Sequence, residues 1–141
     1  MSRVSPRVGE SREAVVCEEL TRTRIVQYAG ASGDFSLLHT DEPAARAAGH
    51  PAVMAHGMMT MAVSSRVITG WFGTEALRSL GARFTAPVRP GDRLVSTATV
   101  EATETAGALT LVRLVLRTTN QDGHVVLTGR ADVALDAQFE S

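Results

Sequence analysis

Residues 57–70 have the sequence GMMTMAVSSRVITG, in which Arg66 is the only charged side chain. A helix on a protein surface normally carries a polar face, and this segment has almost none. The pattern therefore predicts a helix that the rest of the protein surrounds on nearly every side. We expect the remainder of the chain to supply that cover.

After this helix the periodicity of the sequence changes to two, which is typical of β-strands. Apolar residues alternate with polar, charged or small ones in a first strand, namely Leu80, Ala82, Phe84, Ala86 and Val88. A turn at residues 90–92 leads to a second strand, in which one face is marked by Leu94, Ala98 and Val100. Another turn is predicted at Ala106 and Gly107.

Residues 108–118 (ALTLVRLVLRT) are apolar on both faces at their centre, which predicts an interior strand covered on both sides. The sequence Asn-Gln-Asp-Gly at 120–123 is a hairpin signal, and residues 125–135 alternate again. A buried helix followed by long antiparallel strands predicts an α+β fold in which a sheet wraps around the helix.

The N-terminal part predicts shorter elements. Residues 14–20 (AVVCEEL) are a candidate strand, and Thr21 or Thr23 can cap a helix that ends near Gly33 and Asp34. Residues 40–43 (TDEP) place acids and a proline in the first turn of a second helix, which ends at Gly49.

Length and composition limit the class of protein. The 141 residues fit a single domain, 1–141, and residues 1–12 are expected to form a flexible arm. The formal net charge of −1 gives no basic surface for nucleic acid, and a single cysteine excludes a disulfide framework. The sequence shows neither a signal peptide nor an apolar run long enough to cross a bilayer, so we expect a cytoplasmic protein.

Asp34 and His39 are the first candidates for chemistry, because a carboxylate and an imidazole can move two protons in one elimination or addition. Five helical steps would place their side chains about 140° apart, so the pair needs irregular backbone, which Gly33 and the turn-forming DFS sequence allow. Their spacing alone also fits a simpler interpretation, in which Asp34 caps a turn and His39 is exposed.

Gly57 is the third candidate. It lies where a loop enters the apolar helix, so its free N–H and the helix dipole can bind a developing oxyanion. Its simpler interpretation is a loop glycine required only for backbone geometry. The other histidines are predicted to be structural or exposed, and Cys17 is predicted to be buried. The methionines are predicted to pack in the core, with the lining of an acyl channel as the alternative for some of them.

The segment YAGASGDFSLLHTDEPAARAAGHPAVMAHGMMTM at 28–61 resembles the hydratase motif of the MaoC-like family, the (R)-specific enoyl-thioester hydratases and (3R)-hydroxyacyl-thioester dehydratases. The stretch ARFTAPVRPGDRL resembles the family's first long strand and the following turn. This resemblance implies the hot-dog fold and a hydro-lyase activity. It implies Asp34 and His39 as the catalytic pair and the Gly57 amide as donor to the thioester carbonyl. It also implies Ser65 as a further residue of the site, with the adjacent Ser64 as the alternative, because the phase of the helix decides which of the two points inward.

The family has Asn-Pro where this chain has Ser36 and Leu37, which affects the loop between the acid and the base. The resemblance further implies a homodimer, or a heterodimer with another hot-dog subunit, and a coenzyme A or acyl-carrier-protein thioester as substrate. It implies no metal and no redox cofactor. The alternative function is a non-catalytic or partner-dependent subunit that binds an acyl thioester.

Overall fold

The computed structural model describes residues 5–136. Within this range the strands form one antiparallel sheet with the order β1-β3-β4-β5-β2. Its strands are β1 (Ser11–Cys17), β2 (Leu77–Phe84), β3 (Leu94–Ala106), β4 (Leu109–Thr119) and β5 (Val125–Asp136). The α+β prediction is confirmed, and β3, β4 and β5 follow one another as antiparallel neighbours. The first long strand does not join this series in chain order, because β2 pairs with β5 and not with β3.

The helices precede β2 in the chain: α1 (Arg22–Ser32), α2 (Leu37–Thr40), α3 (Glu42–Ala47), α4 (Gly57–Ser64) and α5 (Arg66–Phe72), followed by a 3₁₀ turn at Thr74–Ala76. Thr21 caps α1, because its hydroxyl accepts a hydrogen bond from the Arg24 N–H at 3.1 Å. Gly33 ends α1 with φ of 75°, a left-handed conformation that glycine adopts without strain. No helix in residues 5–136 is long and apolar enough to cross a membrane.

The apolar helix predicted over residues 57–70 is divided at Ser65 into α4 and α5. The Ser65 hydroxyl donates a hydrogen bond to the Ala62 carbonyl at 2.6 Å, and such backbone bonding by serine competes with regular helix. The predicted cover on nearly every side leaves one stripe of this segment open in the single chain. Every fourth residue lies exposed on one stripe, formed by Met58, Ala62, Arg66 and Gly70.

Strand β4 corrects a second prediction. Its side chains alternate strictly, with one face buried at residues 110, 112, 114, 116 and 118. On the opposite face Leu109 and Leu111 are 37% and 39% exposed. The strand is interior to the sheet but covered on one face only by the described chain. The apolar run of 108–118 did not distinguish these two cases, because leucine and valine also occupy partly exposed strand positions.

The N-terminal segment is more ordered than expected. The first strand begins at Ser11 rather than at residue 14 and ends at Cys17. The Gly9 N–H donates to the Val100 carbonyl at 2.8 Å, and the Val100 N–H donates to the Glu10 carbonyl at 2.9 Å. Residues 9–12 therefore do not form the predicted arm, because they satisfy backbone groups along the edge of β3. Residues 1–4 lie outside the described part.

Candidate active site

Asp34 and His39 are brought together by irregular backbone between α1 and α2. The Asp34 Oδ2 and His39 Nε2 atoms lie 3.8 Å apart. The Asp34 carboxylate accepts a hydrogen bond from the Ser36 N–H at 3.2 Å, which forms a turn inside this loop. The distance of 3.8 Å exceeds a hydrogen bond, so neither group is occupied by the other and both can contact a third molecule.

The His39 ring has a defined tautomer. Its Nδ1 lies 2.8 Å from the Met54 carbonyl oxygen. A carbonyl only accepts, so Nδ1 carries the proton and the lone pair of the neutral ring is on Nε2. The side chain of His39 is 13% exposed, whereas that of Asp34 is 54% exposed. A sheltered imidazole therefore faces a carboxylate that solvent reaches.

His56 contacts both members of the pair. Its Nε2 lies 2.9 Å from the Asp34 carbonyl oxygen, and its ring stacks on the His39 ring with a centroid distance of 3.8 Å and an angle of 21°. Tyr28 packs on His56 at a centroid distance of 4.8 Å. The structural position predicted for His56 is confirmed, and the backbone atom that its ring bonds is the carbonyl oxygen of Asp34. Its position next to Gly57 was the available signal.

Asp34, His39 and His56 are also the group of possible metal ligands found in the described residues, with one donor atom each within 4.8 Å of one another. Donor atoms around a tetrahedral zinc ion are closer, about 3.3 Å apart for bonds of about 2.0 Å. The three donor atoms are therefore more widely spaced than the ligands of a tetrahedral zinc ion.

Gly57 is the first residue of α4, where the backbone N–H groups have no partner within the helix. It lies against Phe84 of β2, and a Cβ atom at this position would be 2.9 Å from the ring. The hydrogen bond from His56 to Asp34 brings the Asp34 loop to this helix start. The acid, the base and the helix N-terminus therefore belong to one region of the molecule.

The two adjacent serines have different environments. Ser64 is fully buried, and its hydroxyl accepts a hydrogen bond from the Thr118 hydroxyl at 2.8 Å. Thr118 also bonds the buried Ser96 at 2.6 Å, so this chain of hydroxyls joins α4 to the sheet. Ser65 is partly exposed at the junction of α4 and α5 and bonds Ala62. Its predicted role in the site remains a prediction.

The remaining candidates are in less reactive positions. His50 is half-buried after α3, and His124 is exposed in the β4–β5 hairpin. Cys17 is buried in the core, with the Arg24 Nη1 at 3.8 Å from its sulfur. Met59 is buried as predicted, whereas Met58 is 58% exposed on the stripe described above.

An apolar cavity of about 330 Å³ adjoins Gly57. Its walls come from the segment before α4, from α4 itself and from the end of β2, and include Met54, Thr60, Phe84, Ala86 and Val126. A larger cavity of about 720 Å³ lies between the N-terminal segment and α5, and neither Asp34, His39 nor Gly57 lines it. We place the candidate site by its chemistry and not by the size of the cavity.

Residues 3–121 match the family model of the MaoC like domain, and the chain therefore belongs to this family. It is 35% identical over 104 residues to a UPF0336 protein of Streptomyces coelicolor, covering 67% of this chain and 69% of that protein. It is 28% identical to the peroxisomal enoyl-CoA hydratase 2 of Arabidopsis thaliana over 64% of this chain. The match spans only 30% of the plant protein.

Among solved structures, the fold resembles R-hydratase PhaJ1 from Pseudomonas aeruginosa with a TM-score of 0.78 and 28% identity, covering 91% of this chain and 81% of that one. The ChsH1-ChsH2 and HadBC complexes of Mycobacterium tuberculosis share the fold at 23% and 18% identity, which supports the architecture alone. These comparisons confirm the family resemblance and the hot-dog fold, and they support a hydro-lyase enzyme.

Proposed function

We propose that this protein catalyses the reversible dehydration of a (3R)-3-hydroxyacyl thioester to the trans-2-enoyl thioester, with Asp34 and His39 as the acid and the base. One observation carries the proposal: the Nε2 of His39, whose Nδ1 is bonded to the Met54 carbonyl, lies 3.8 Å from the Asp34 carboxylate. That spacing allows one substrate to contact both groups. Membership of the MaoC-like family supports the reaction class.

In the dehydration direction, His39 Nε2 removes the proton from Cα of the substrate. The bond between Cβ and the hydroxyl oxygen breaks, and protonated Asp34 transfers its proton to that oxygen, so water leaves. Hydration reverses each step. The Asp34 carboxylate takes a proton from a water molecule while the oxygen of that water attacks Cβ, and protonated His39 returns a proton to Cα. Atoms and charge balance without a metal or a redox cofactor.

The Gly57 N–H is proposed to bind the thioester carbonyl oxygen. Removal of the Cα proton gives this oxygen enolate character, and a fixed N–H donor stabilises the developing negative charge. The position of Gly57 at the start of α4 supports this role, because the N–H groups of the first turn point out of the helix. Coenzyme A or phosphopantetheine enters only as part of the substrate.

The acyl chain is proposed to occupy the cavity of about 330 Å³ beside Gly57, because the walls of that cavity are mainly apolar. Ala86 lines it, so an Ala86→Leu substitution is expected to lower turnover of longer enoyl thioesters more than turnover of the four-carbon one. Ala102→Leu, at an exposed position of β3, is the control. If Ala86→Leu lowered turnover equally for acyl chains of every length, the acyl chain would not occupy this cavity.

A second hot-dog subunit, identical or homologous, is proposed to cover the exposed apolar side chains around the site. Met58, next to Gly57, is 58% exposed, and Phe84, against Gly57, is 48% exposed. Phe35 and Leu37, which lie between Asp34 and His39 in the chain, are 64% and 59% exposed. Apolar residues gathered at one region are typical of an interface. Native mass spectrometry or analytical ultracentrifugation measures the assembly.

The function is tested by hydration of crotonyl-CoA, followed by the loss of enoyl-thioester absorbance. Asp34→Asn and His39→Ala are each expected to lower kcat by about 10²- to 10⁴-fold, since each removes one proton-transfer group. His124→Ala, an exposed histidine in a hairpin, is the matched control and should leave kcat unchanged. Undiminished turnover in either site variant would reject the pair.

The same assay with acyl-carrier-protein thioesters determines whether a carrier protein is the partner. Faster turnover of the carrier-protein thioester would identify a carrier protein as the partner. Faster turnover of the coenzyme A thioester would identify coenzyme A as the carrier of the substrate. Lack of turnover by the wild-type protein on every chain length and carrier, alone or with a second hot-dog subunit, would favour the acyl-binding subunit instead.

A further inference from the structure

We propose that His56 is a positioning residue, which fixes the backbone of Asp34 and the ring of His39 in the geometry needed for proton transfer. The inference depends on the proposed function of the pair. The ring of His56 stacks on the ring of His39, and its Nε2 bonds the backbone carbonyl of Asp34. His56 therefore acts on the reaction through these two residues.

The hydrogen bond to Asp34 has one possible direction. The Asp34 carbonyl oxygen can only accept, so His56 Nε2 carries the proton. This bond joins the exposed loop to the start of α4, which is 22 residues further along the chain. The other hydrogen bonds at Asp34 join it to residues two positions away along the chain: its N–H donates to the Ser32 hydroxyl, and its carboxylate accepts from the Ser36 N–H, both at 3.2 Å. His56 is therefore the contact that ties Asp34 to the core of the protein.

The contact with His39 is of a different kind. The Met54 carbonyl fixes one edge of the His39 ring at 2.8 Å, but a single hydrogen bond leaves the ring free to tilt about it. The His56 ring lies nearly parallel to His39, at an angle of 21° and a centroid distance of 3.8 Å, and prevents this tilt on one side. Together the two contacts direct Nε2 of His39 toward the Asp34 carboxylate.

Packing alone does not explain a histidine at this position. His56 is 2% exposed, and its Nδ1 has no hydrogen-bond partner within residues 5–136. A buried polar atom without a partner destabilises the fold, and a purely apolar side chain would avoid this cost. A histidine at this position provides the hydrogen bond from Nε2 and the stack on His39, and an apolar side chain would lack the hydrogen bond.

Glutamine and methionine at position 56 form a matched pair for the test, because their lengths and volumes are similar. His56→Gln keeps an N–H donor that can reach the Asp34 carbonyl, whereas His56→Met places a methyl group there. We expect kcat for crotonyl-CoA hydration to fall about 10- to 100-fold in His56→Met, with KM within about threefold, because small displacements of catalytic groups cost about this much. In His56→Gln the fall in log kcat is expected to be at least a third smaller than in His56→Met.

A readout independent of activity is amide hydrogen exchange over residues 33–39. We expect faster exchange in His56→Met than in His56→Gln, since only the methionine variant releases the Asp34 backbone. Equal kcat and equal exchange in the two folded variants would overturn the proposal. So would loss of the fold in both variants, measured by urea denaturation, because His56 would then serve stability alone.

The proposed function can fail separately. If the wild-type protein does not turn over, or if His39→Ala is fully active, the acid–base pair is rejected whatever the exchange data show. If His39→Ala is inactive and His56→Met retains the kcat of the wild type, the pair stands and the role of His56 alone is rejected.

Discussion

Gly57 has a steric requirement that a single methyl group tests. A Cβ atom on this residue would lie 2.9, 3.1 and 3.2 Å from three carbons of the Phe84 ring, whereas ordinary contacts of a Cβ atom begin at 3.4 Å. In Gly57→Ala the ring must therefore move, and about 0.5 Å, the difference between 3.4 and 2.9 Å, restores an ordinary contact. Phe84 is 48% exposed and can turn toward solvent.

The expected cost follows from that freedom. Overpacking in a closed core costs about 1–3 kcal/mol, and a side chain that can leave its preferred rotamer toward solvent pays the lower end, about 1 kcal/mol. Alanine is also a better helix former than glycine, by up to about 1 kcal/mol, so the net change in the free energy of unfolding is small. The steric cost of Gly57→Ala can be measured separately only when the Phe84 ring is also removed.

The assay is a double-mutant cycle of Gly57→Ala and Phe84→Ala, measured by urea denaturation. We expect Gly57→Ala to be about 1 kcal/mol more favourable in the Phe84→Ala background than in the wild type. Gly30→Ala is the control, because a Cβ on Gly30, within α1, meets no atom within 4 Å. The same effect of Gly57→Ala in both backgrounds would refute the steric argument. The turnover of Gly57→Ala should fall about tenfold, because the added methyl borders the proposed carbonyl-binding amide.

Three further changes test the fold around the site. Leu37→Pro should keep activity and raise the free energy of unfolding by about 0.4–1 kcal/mol in chemical denaturation, because Leu37 is the first residue of α2 and the residue before it has ψ of 135°. Gly129→Ala should lower the free energy of unfolding by about 2–3 kcal/mol, measured by urea denaturation, because its Cβ would lie 2.5 Å from the Gly81 carbonyl oxygen and the backbone cannot turn away. The hydrogen bonds from Arg22 lower the pKa of the Glu42 carboxyl below its ordinary value of 4.5, so this pair stabilises the fold above that pH and the effect is lost as the pH falls. The melting temperature of Arg22→Gln should therefore lie below that of the wild type at pH 7 and approach it below pH 4; a constant difference would contradict this assignment.

The sequence predicted the parts of this protein that depend on neighbours along the chain. The hairpin at 120–123 forms because Asn120 accepts hydrogen bonds from the Asp122 and His124 N–H groups, both at 3.0 Å. The Thr21 cap and the end of α1 at Gly33 are equally local. The irregular backbone between Asp34 and His39 was predictable for the same reason, since five helical steps could not have joined their side chains.

What only the tertiary structure decided are the contacts between distant residues and the cover of apolar faces. Met54 fixes the tautomer of His39 from 15 residues away, and His56 reaches Asp34 across 22 residues. No periodicity reports such distances, because they depend on how α2 and α4 pack and not on the spacing along either helix. For the same reason the sequence identified residues 57–70 as apolar but did not reveal that Met58 lies on an exposed stripe of the single chain. Apolar content is a local property, and burial depends on what the fold places opposite.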